Sequence, residues 1–312
     1  MNIPIQTLVS TLGGLFLLLG AGFGAVRLNM VPGEASKAFS ALLVRITIPA
    51  TVFSAMLRPF DPAFLRDSAV IILLGAGLFL LYALLCHPAA GLFGVRKDGR
   101  GMWRICCTFC NNGSMGYPII LALFGEEGLA LAAMLNISFM LLIYTLGVKQ
   151  VLSDLPTSAG GAIAWRAILL TEVNAATVLG LLVFCLRIPV PGVLATPIGL
   201  LSDITAPLSM FVIGMTLAKG SIRDAFRDKD VFSAALMRLV LLPLLTWAIL
   251  KPLPVSNPLV TNVVLLTMAM PCPGTSTVLA EQYGVNAEFS SRMVFVSSLL
   301  CLVTIPLFTL LP

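Results

Sequence analysis

The 312-residue chain is 58% hydrophobic and 11% charged, with a mean hydropathy of +1.02 and a net charge of +5. Soluble domains carry about 25% charged residues, so this composition excludes an ordinary soluble fold and indicates a lipid bilayer as the solvent. The small positive excess lies in short polar segments, which argues against a nucleic-acid partner.

Apolar segments of membrane-spanning length recur along the chain. A spanning helix needs roughly 20 apolar residues. The sequence therefore predicts an all-α integral membrane protein with ten transmembrane helices, at 4–26, 38–57, 68–87, 103–123, 127–148, 172–188, 197–218, 231–250, 259–282 and 289–311. The longest polar gap predicts a linker at 149–171 between a first five-helix repeat (1–148) and a second (172–312).

The basic residues predict an orientation. With the N-terminus outside, thirteen Lys and Arg residues fall in inward segments and four in outward ones. Because inward loops are enriched in Lys and Arg, a multi-pass protein of the cell (inner) membrane with both termini outside is expected.

Two halves of the chain resemble each other at an offset of 158–159 residues. Residues 42–49 (LLVRITIP) in span two match residues 200–207 (LLSDITAP) in span seven, and Thr108 and Gly125 recur as Thr267 and Gly284. Each repeat holds five spans, so the second copy must enter the membrane inverted. Inverted repeats are typical of secondary transporters.

Both repeats contain an interrupted span, at residues 111–118 (NNGSMGYP) in span four and 270–276 (MPCPGTS) in span nine. Proline removes a helix hydrogen bond, and unwound backbone must line a protein-enclosed cavity because lipid offers it no partner. The half-helix N-termini that begin there suit an anion. The predicted substrate-binding residues at the interruptions are Asn111, Asn112, Gly113, Ser114, Pro271, Cys272, Pro273, Gly274 and Thr275.

Three charged residues fall inside predicted spans: Arg45, Asp203 and Arg238. Charges at such depth usually mark a pathway or a pair. Arg45 is predicted to attract an anionic substrate, and Asp203 and Arg238 to serve in coupling or gating. Pairing with backbone carbonyls and snorkelling remain open as structural alternatives. An Arg45–Asp203 ion pair is not expected, since inverted spans place the two residues about 10 Å apart along the membrane normal.

The two interruptions resemble the N-x-x-x-x-G-x-P and proline-glycine motifs of the auxin efflux carrier family, which includes bacterial malate or malonate permeases. The resemblance implies a scaffold domain of spans 1, 2, 6 and 7 and a transport domain of spans 3–5 and 8–10, with spans four and nine crossing. It further implies that Asn111 and the turn at 271–274 contact a substrate carboxylate, and it suggests a homodimer. Cys110 and Arg45 depart from the family's usual residues, so the substrate and the coupling ion, proton or sodium, do not transfer.

The resemblance therefore implies a secondary active carrier of small organic anions, a mono- or dicarboxylate such as malate or malonate, that works by alternating access with its site where spans four and nine cross. Three other functions are alternatives. A sodium-coupled organic anion carrier of the bile-acid symporter type stays open as the first alternative. Carriers of that type hold sodium with acidic and Gln side chains at the crossover, and the second interruption has no carboxylate, although backbone carbonyls can also bind sodium. A serine enzyme needs a base, and the single histidine, His87, ends span three, so no enzyme is expected. A channel stays open. The sequence predicts no cofactor, no metal site and no nucleotide-binding loop.

Overall fold

The computed structural model describes residues 5–155, 171–219 and 228–311. These residues form helices and turns, with no strand among them. Residues 156–170 of the predicted linker lie outside the described part of the chain, as do Arg166, Arg223 and Arg227 of the inward basic segments. The described start of the linker is helical, since the helix that contains Lys149 continues to Leu152.

We number the principal helices of the described residues α1 to α11. Their bounds are α1 Ile5–Arg27, α2 Ala35–Met56, α3 Pro62–Leu92, α4 Arg100–Thr108, α5 Tyr117–Leu142, α6 Glu172–Leu186, α7 Gly192–Lys219, α8 Lys229–Leu250, α9 Pro258–Met268, α10 Thr275–Tyr283 and α11 Ala287–Thr309. α5 is kinked at Gly125 (φ 65°) and continues through a π turn, Ile143–Gly147, into Val148–Leu152.

Many of these helices have the length and composition of membrane spans. Seven stretches are long and apolar enough: Ser10–Arg27, Ala35–Met56, Pro62–Leu92, Lys97–Leu152, Gly192–Lys219, Lys229–Leu250 and Ala287–Thr309. Glu172–Leu186 and Pro258–Met268 are apolar but shorter. The chain is therefore a helical, multi-pass membrane protein.

Prolines explain several irregular turns. The π turns Leu43–Thr47 in α2, Asn112–Gly116 before α5 and Met237–Leu241 in α8 are each followed, two residues on, by a proline. A proline has no N–H for the carbonyl four residues earlier, so the backbone widens locally instead of continuing a regular α-helix.

Polar caps fix several helix starts. The side chains of Asp61, Thr171, Asn257 and Asn286 each accept a hydrogen bond from an N–H in the following first turn, at 2.9, 3.2, 2.9 and 3.0 Å. Such caps satisfy N–H groups that have no partner within the helix.

Helices α1 and α7 approach at two glycines. A Cβ atom at Gly22 would lie 2.0 Å from the Phe211 carbonyl oxygen, and one at Gly214 would lie 1.9 Å from the Leu19 carbonyl oxygen. Neither position has room for a side chain unless the helices separate. The two glycines therefore set the distance between α1 and α7.

The N-terminus of α4 is held by Asp154, just after the helical segment Val148–Leu152 that ends the same half of the chain. The Asp154 carboxylate accepts from the N–H groups of Gly101 and Met102, at 2.6 and 2.9 Å, where negative charge complements the helix dipole. Burial raises the pKa of Asp154, and the two N–H groups oppose that rise. A Cβ at Gly101 would lie 2.0 Å from the Gln150 carbonyl oxygen, so this contact requires glycine.

Candidate functional site

The two predicted interruptions are present, and they meet. α4 ends at Thr108, and the next helical turn begins at Asn112. α9 ends at Met268, and the next helix begins at Thr275. The Asn111 N–H donates to the Pro271 carbonyl oxygen at 2.8 Å, which joins one break to the other. The Asn111 side chain accepts from the Ser114 N–H at 3.2 Å and so caps the helical segment that follows.

The second break is also tied to α11 and to its own following helix. The Cys272 N–H donates to Ser297 Oγ at 3.1 Å. Ser276 Oγ bonds to the Pro273 carbonyl oxygen at 2.7 Å and lies 2.8 Å from Ser290 Oγ. These bonds satisfy polar groups that a regular helix would have paired internally.

Arg238 links both breaks from α8. Its guanidinium donates to the carbonyl oxygens of Met270, Cys107 and Met268 at 2.9, 3.1 and 2.6 Å. The residue is fully buried, and the guanidinium lies 5.7 Å from the centre of the Tyr82 ring. The carbonyls that end α4 and α9 carry negative partial charge, which the guanidinium offsets. Its partners are thus the two half-helix ends.

A cavity of about 560 Å³ lies beside the breaks. Its lining comes from α2, the two breaks, α7 and α11: Ser40, Leu43, Val44, Asn111, Ser114, Ser209, Val212, Ile213, Thr216, Leu217, Lys219, Gly274, Ser291, Val294, Phe295 and Ser298. Hydroxyl and amide groups alternate with apolar side chains, a composition suited to a small polar solute. Gly274, the N-cap residue of α10, lies on the cavity wall.

The predicted binding residues divide into two groups. Asn111, Ser114 and Gly274 line the cavity. The rest of the predicted set at the breaks belongs to the same two segments but stands outside the lining: Asn112, Gly113, Pro271, Cys272, Pro273 and Thr275.

Asn112 is nearly fully buried. Its Oδ1 accepts from the Cys110 thiol at 2.8 Å, and its Nδ2 has no acceptor within the described residues. The asparagine pair is therefore split between the cavity wall and the interior.

Two of the three charged residues predicted to be functional, Arg45 and Asp203, lie away from the cavity. The Arg45 side chain is 74% exposed, and its Nε lies 4.0 Å from Glu172 Oε1 on α6. Asp203 is also exposed, at the end of Gly192–Asp203, the first of the two segments of α7; the second is Thr205–Lys219. Within the described part of the chain, the ion-pair partner of Arg45 is Glu172 and not Asp203. Neither Arg45 nor Asp203 lines the cavity, and the functional roles predicted for them stay predictions.

Most of the polar residues that line the cavity are not among the residues predicted from the sequence. Ser209 and Thr216 on α7 are seven residues apart, as are Ser291 and Ser298 on α11, with apolar lining residues three and four positions along. Such spacing places side chains on one helix face, so paired hydroxyls seven apart are the signal that would have found them. From the sequence, Lys219 is one of the thirteen inward basic residues, and nothing in the pattern assigns it to a cavity.

Comparison with known proteins identifies the family. Residues 7–155 and 157–309 match the sequence profile of the family described as membrane transport protein, which is the auxin efflux carrier family. The chain belongs to this family. The auxin efflux carrier resemblance of the two interruptions is thereby confirmed, and transport across a membrane is the activity that the family supports.

Two relatives extend along nearly the whole chain. An uncharacterized transporter of Methanothermobacter thermautotrophicus is 26% identical over 308 residues, which cover 97% of each protein. A protein of Rhizobium meliloti, provisionally named a malonate transporter, is 24% identical over 301 residues, which cover 93% of this chain and 91% of the relative. The similarity therefore includes both breaks.

Proposed function

We propose that this protein is a secondary active carrier of small organic anions, mono- or dicarboxylates such as malate or malonate. The observation that carries the proposal is the cavity at the joined breaks, where Asn111, Ser114 and Gly274 line one wall. The N-terminus of a helix carries positive partial charge, and α10 begins at this wall. The Ser276 and Thr277 N–H groups of its first turn already donate to the Pro273 and Gly274 carbonyl oxygens, so the attraction comes from the helix dipole. A carboxylate fits that chemistry.

The same proposal includes the architecture predicted from the sequence. Ten spans would form two inverted five-helix repeats, with both termini outside and with spans four and nine crossing at the breaks. Shared local geometry supports the repeat, since Gly125 and Gly284 occupy equivalent positions and have φ angles of 65° and 66°. The bonds from Arg238 to α4 and α9 support the grouping of these helices in one transport domain, with spans 1, 2, 6 and 7 as the scaffold.

Transport would proceed by alternating access, in which the cavity opens to one side of the membrane at a time. The proposed coupling ion is a proton or sodium. Among the described residues the cavity lining contains no carboxylate, which disfavours a sodium site of the bile-acid symporter type there. A homodimer remains part of the proposal, and neither an enzyme nor a channel is proposed.

Uptake into proteoliposomes tests the proposal. Labelled malonate and malate are offered with an inward proton gradient, an inward sodium gradient or neither. We expect saturable uptake that is strongly reduced by Asn111→Ala. The matched control is Asn262→Ala, because Asn262 is half-buried on α9 and does not line the cavity.

The possible results separate the alternatives. Uptake that rises linearly with concentration would indicate a channel. Absence of uptake of both acids under every gradient, from protein shown to be folded, would overturn the substrate assignment. An equal loss of uptake in Asn111→Ala and Asn262→Ala would show that Asn111 has no specific role in binding the substrate.

A further inference from the structure

Lys219, an exposed lysine at the end of α7, lies on the cavity wall. Lys219 is the only charged side chain among the described residues that line the cavity. Its Nζ donates to Ser36 Oγ at 2.5 Å, and its Cε would lie 3.4 Å from a Cβ placed on Gly33. Ser36 is 3% exposed, so the ammonium is anchored on a buried hydroxyl. An ammonium has three N–H donors, and Ser36 takes one of them.

The position of this charge is distinct from that of the breaks. α7 follows the cavity from Ser209 to Lys219, ten residues or about 15 Å of helix. Lys219 ends α7, and Ser36 lies in the first turn of α2. The ammonium therefore stands at the end of the cavity where these two helix ends meet, which in the proposed orientation is the cytoplasmic mouth.

We infer that Lys219 is a specificity-determining residue that favours anions over cations in this cavity. A single sign of charge on the wall of a low-dielectric cleft concentrates solutes of the opposite sign. This inference rests on the proposed function and assigns to Lys219 the attraction that the sequence suggested for Arg45. Small carboxylates would be drawn in by Lys219 and then bound at the breaks.

A purely structural role makes a different prediction. A lysine in the last turn of a helix complements the negative end of the helix dipole. Removing it would then lower stability and leave the charge preference of the cavity unchanged. The two roles of Lys219 are therefore distinguished by measuring the charge selectivity of the cavity, and this measurement needs no transported substrate.

The experiment places a reporter thiol at Ser40, which lines the cavity one helical turn from Ser36. The exposed Cys185 is first replaced by serine; the other six cysteines are buried. Detergent-solubilised Ser40→Cys protein is reacted at low ionic strength with anionic sulfonatoethyl methanethiosulfonate and with cationic trimethylammonioethyl methanethiosulfonate. The ratio of the two rates reports the local potential.

We expect Lys219→Gln to lower the anion-to-cation rate ratio roughly three- to ten-fold, since a unit charge about one helical turn away acts oppositely on the two reagents. Lys219→Arg should keep the ratio. The matched control is Lys37→Gln, which removes the same charge from the first turns of α2 but outside the lining.

An unchanged ratio in Lys219→Gln, or an equal fall in Lys37→Gln, would overturn the inference. So would a Ser40→Cys thiol that neither reagent modifies. Malonate uptake is then measured separately: Lys219→Gln should raise KM with little change in the maximal rate. If wild-type protein transports no carboxylate but the thiol ratio responds to Lys219, the proposed substrate fails while the charge selectivity stands.

Discussion

At the level of single residues, Arg238 is the side chain whose loss should matter most. Its guanidinium is fully buried and donates hydrogen bonds to three carbonyl oxygens at the ends of α4 and α9. Arg238→Met leaves these carbonyls without partners, and we expect the free energy of unfolding to fall by about 3 kcal/mol or more. Thermal unfolding in detergent measures the change.

Arg238→Lys separates charge from geometry. Lysine keeps the positive charge but cannot reproduce the planar fork, so we expect partial recovery of stability and weaker transport than in the wild type. Arg96→Met is the control, because Arg96 is exposed at the loop before α4. Wild-type stability and uptake in Arg238→Met would contradict the role.

The contrast between Arg45 and Arg238 shows that a sequence predicts how deep a residue lies in a span but not which helix face it occupies. Both fall inside predicted spans, yet one is 74% exposed and the other is fully buried. Each arginine lies in a π turn, which has more residues per turn than an α-helix. Regular helical spacing therefore does not give the face on which either side chain lies. Lys219 could not be placed either, because its role depends on how α2 and α7 pack together.

At the level of helices, the contact between α1 and α7 gives a sharp prediction. Gly22→Ala or Gly214→Ala places a methyl group about 2 Å from a backbone oxygen of the opposite helix. The helices must separate, and we expect the free energy of unfolding to fall by about 1–3 kcal/mol.

Gly24→Ala on the same helix is the matched control, since no atom lies within 4 Å of a Cβ built there. It should leave stability unchanged or raise it by about 0.5 kcal/mol through better helix propensity. Thermal unfolding of the three variants checks both expectations. Equal behaviour of Gly22→Ala and Gly24→Ala would show that α1 and α7 are not closely packed at this point.

The breaks were predictable because their chemistry is local. Pro271, Pro273 and Gly274 forbid a regular helix whatever surrounds them, and the sequence alone placed both interruptions. The bond between Asn111 and Pro271, by contrast, joins residues far apart in the chain and depends on tertiary packing. The same holds for the cavity, whose walls come from helices of both halves.

At the scale of the whole molecule, alternating access requires the proposed scaffold and transport domains to move against each other. Among the described residues, an ion pair joins these two domains: Arg58 Nη2, just after α2, lies 3.4 Å from Glu127 Oε1 on α5. A comparable pair lies within the proposed transport domain, where Arg292 Nη1 of α11 is 3.6 Å from Asp228 Oδ2 at the start of α8.

Cross-linking each of these two pairs tests the proposed division into a scaffold domain and a transport domain. In the Cys185→Ser background, Arg58→Cys/Glu127→Cys and Asp228→Cys/Arg292→Cys are each joined by a short bifunctional thiol reagent that reduction releases. We expect the first cross-link to stop carboxylate uptake and reduction to restore it, because it ties together domains that must separate. The second should leave uptake intact, since it joins parts of one rigid domain. Uptake that persists through the first cross-link would place the moving boundary elsewhere, and loss through both would indicate that α8 and α11 move independently.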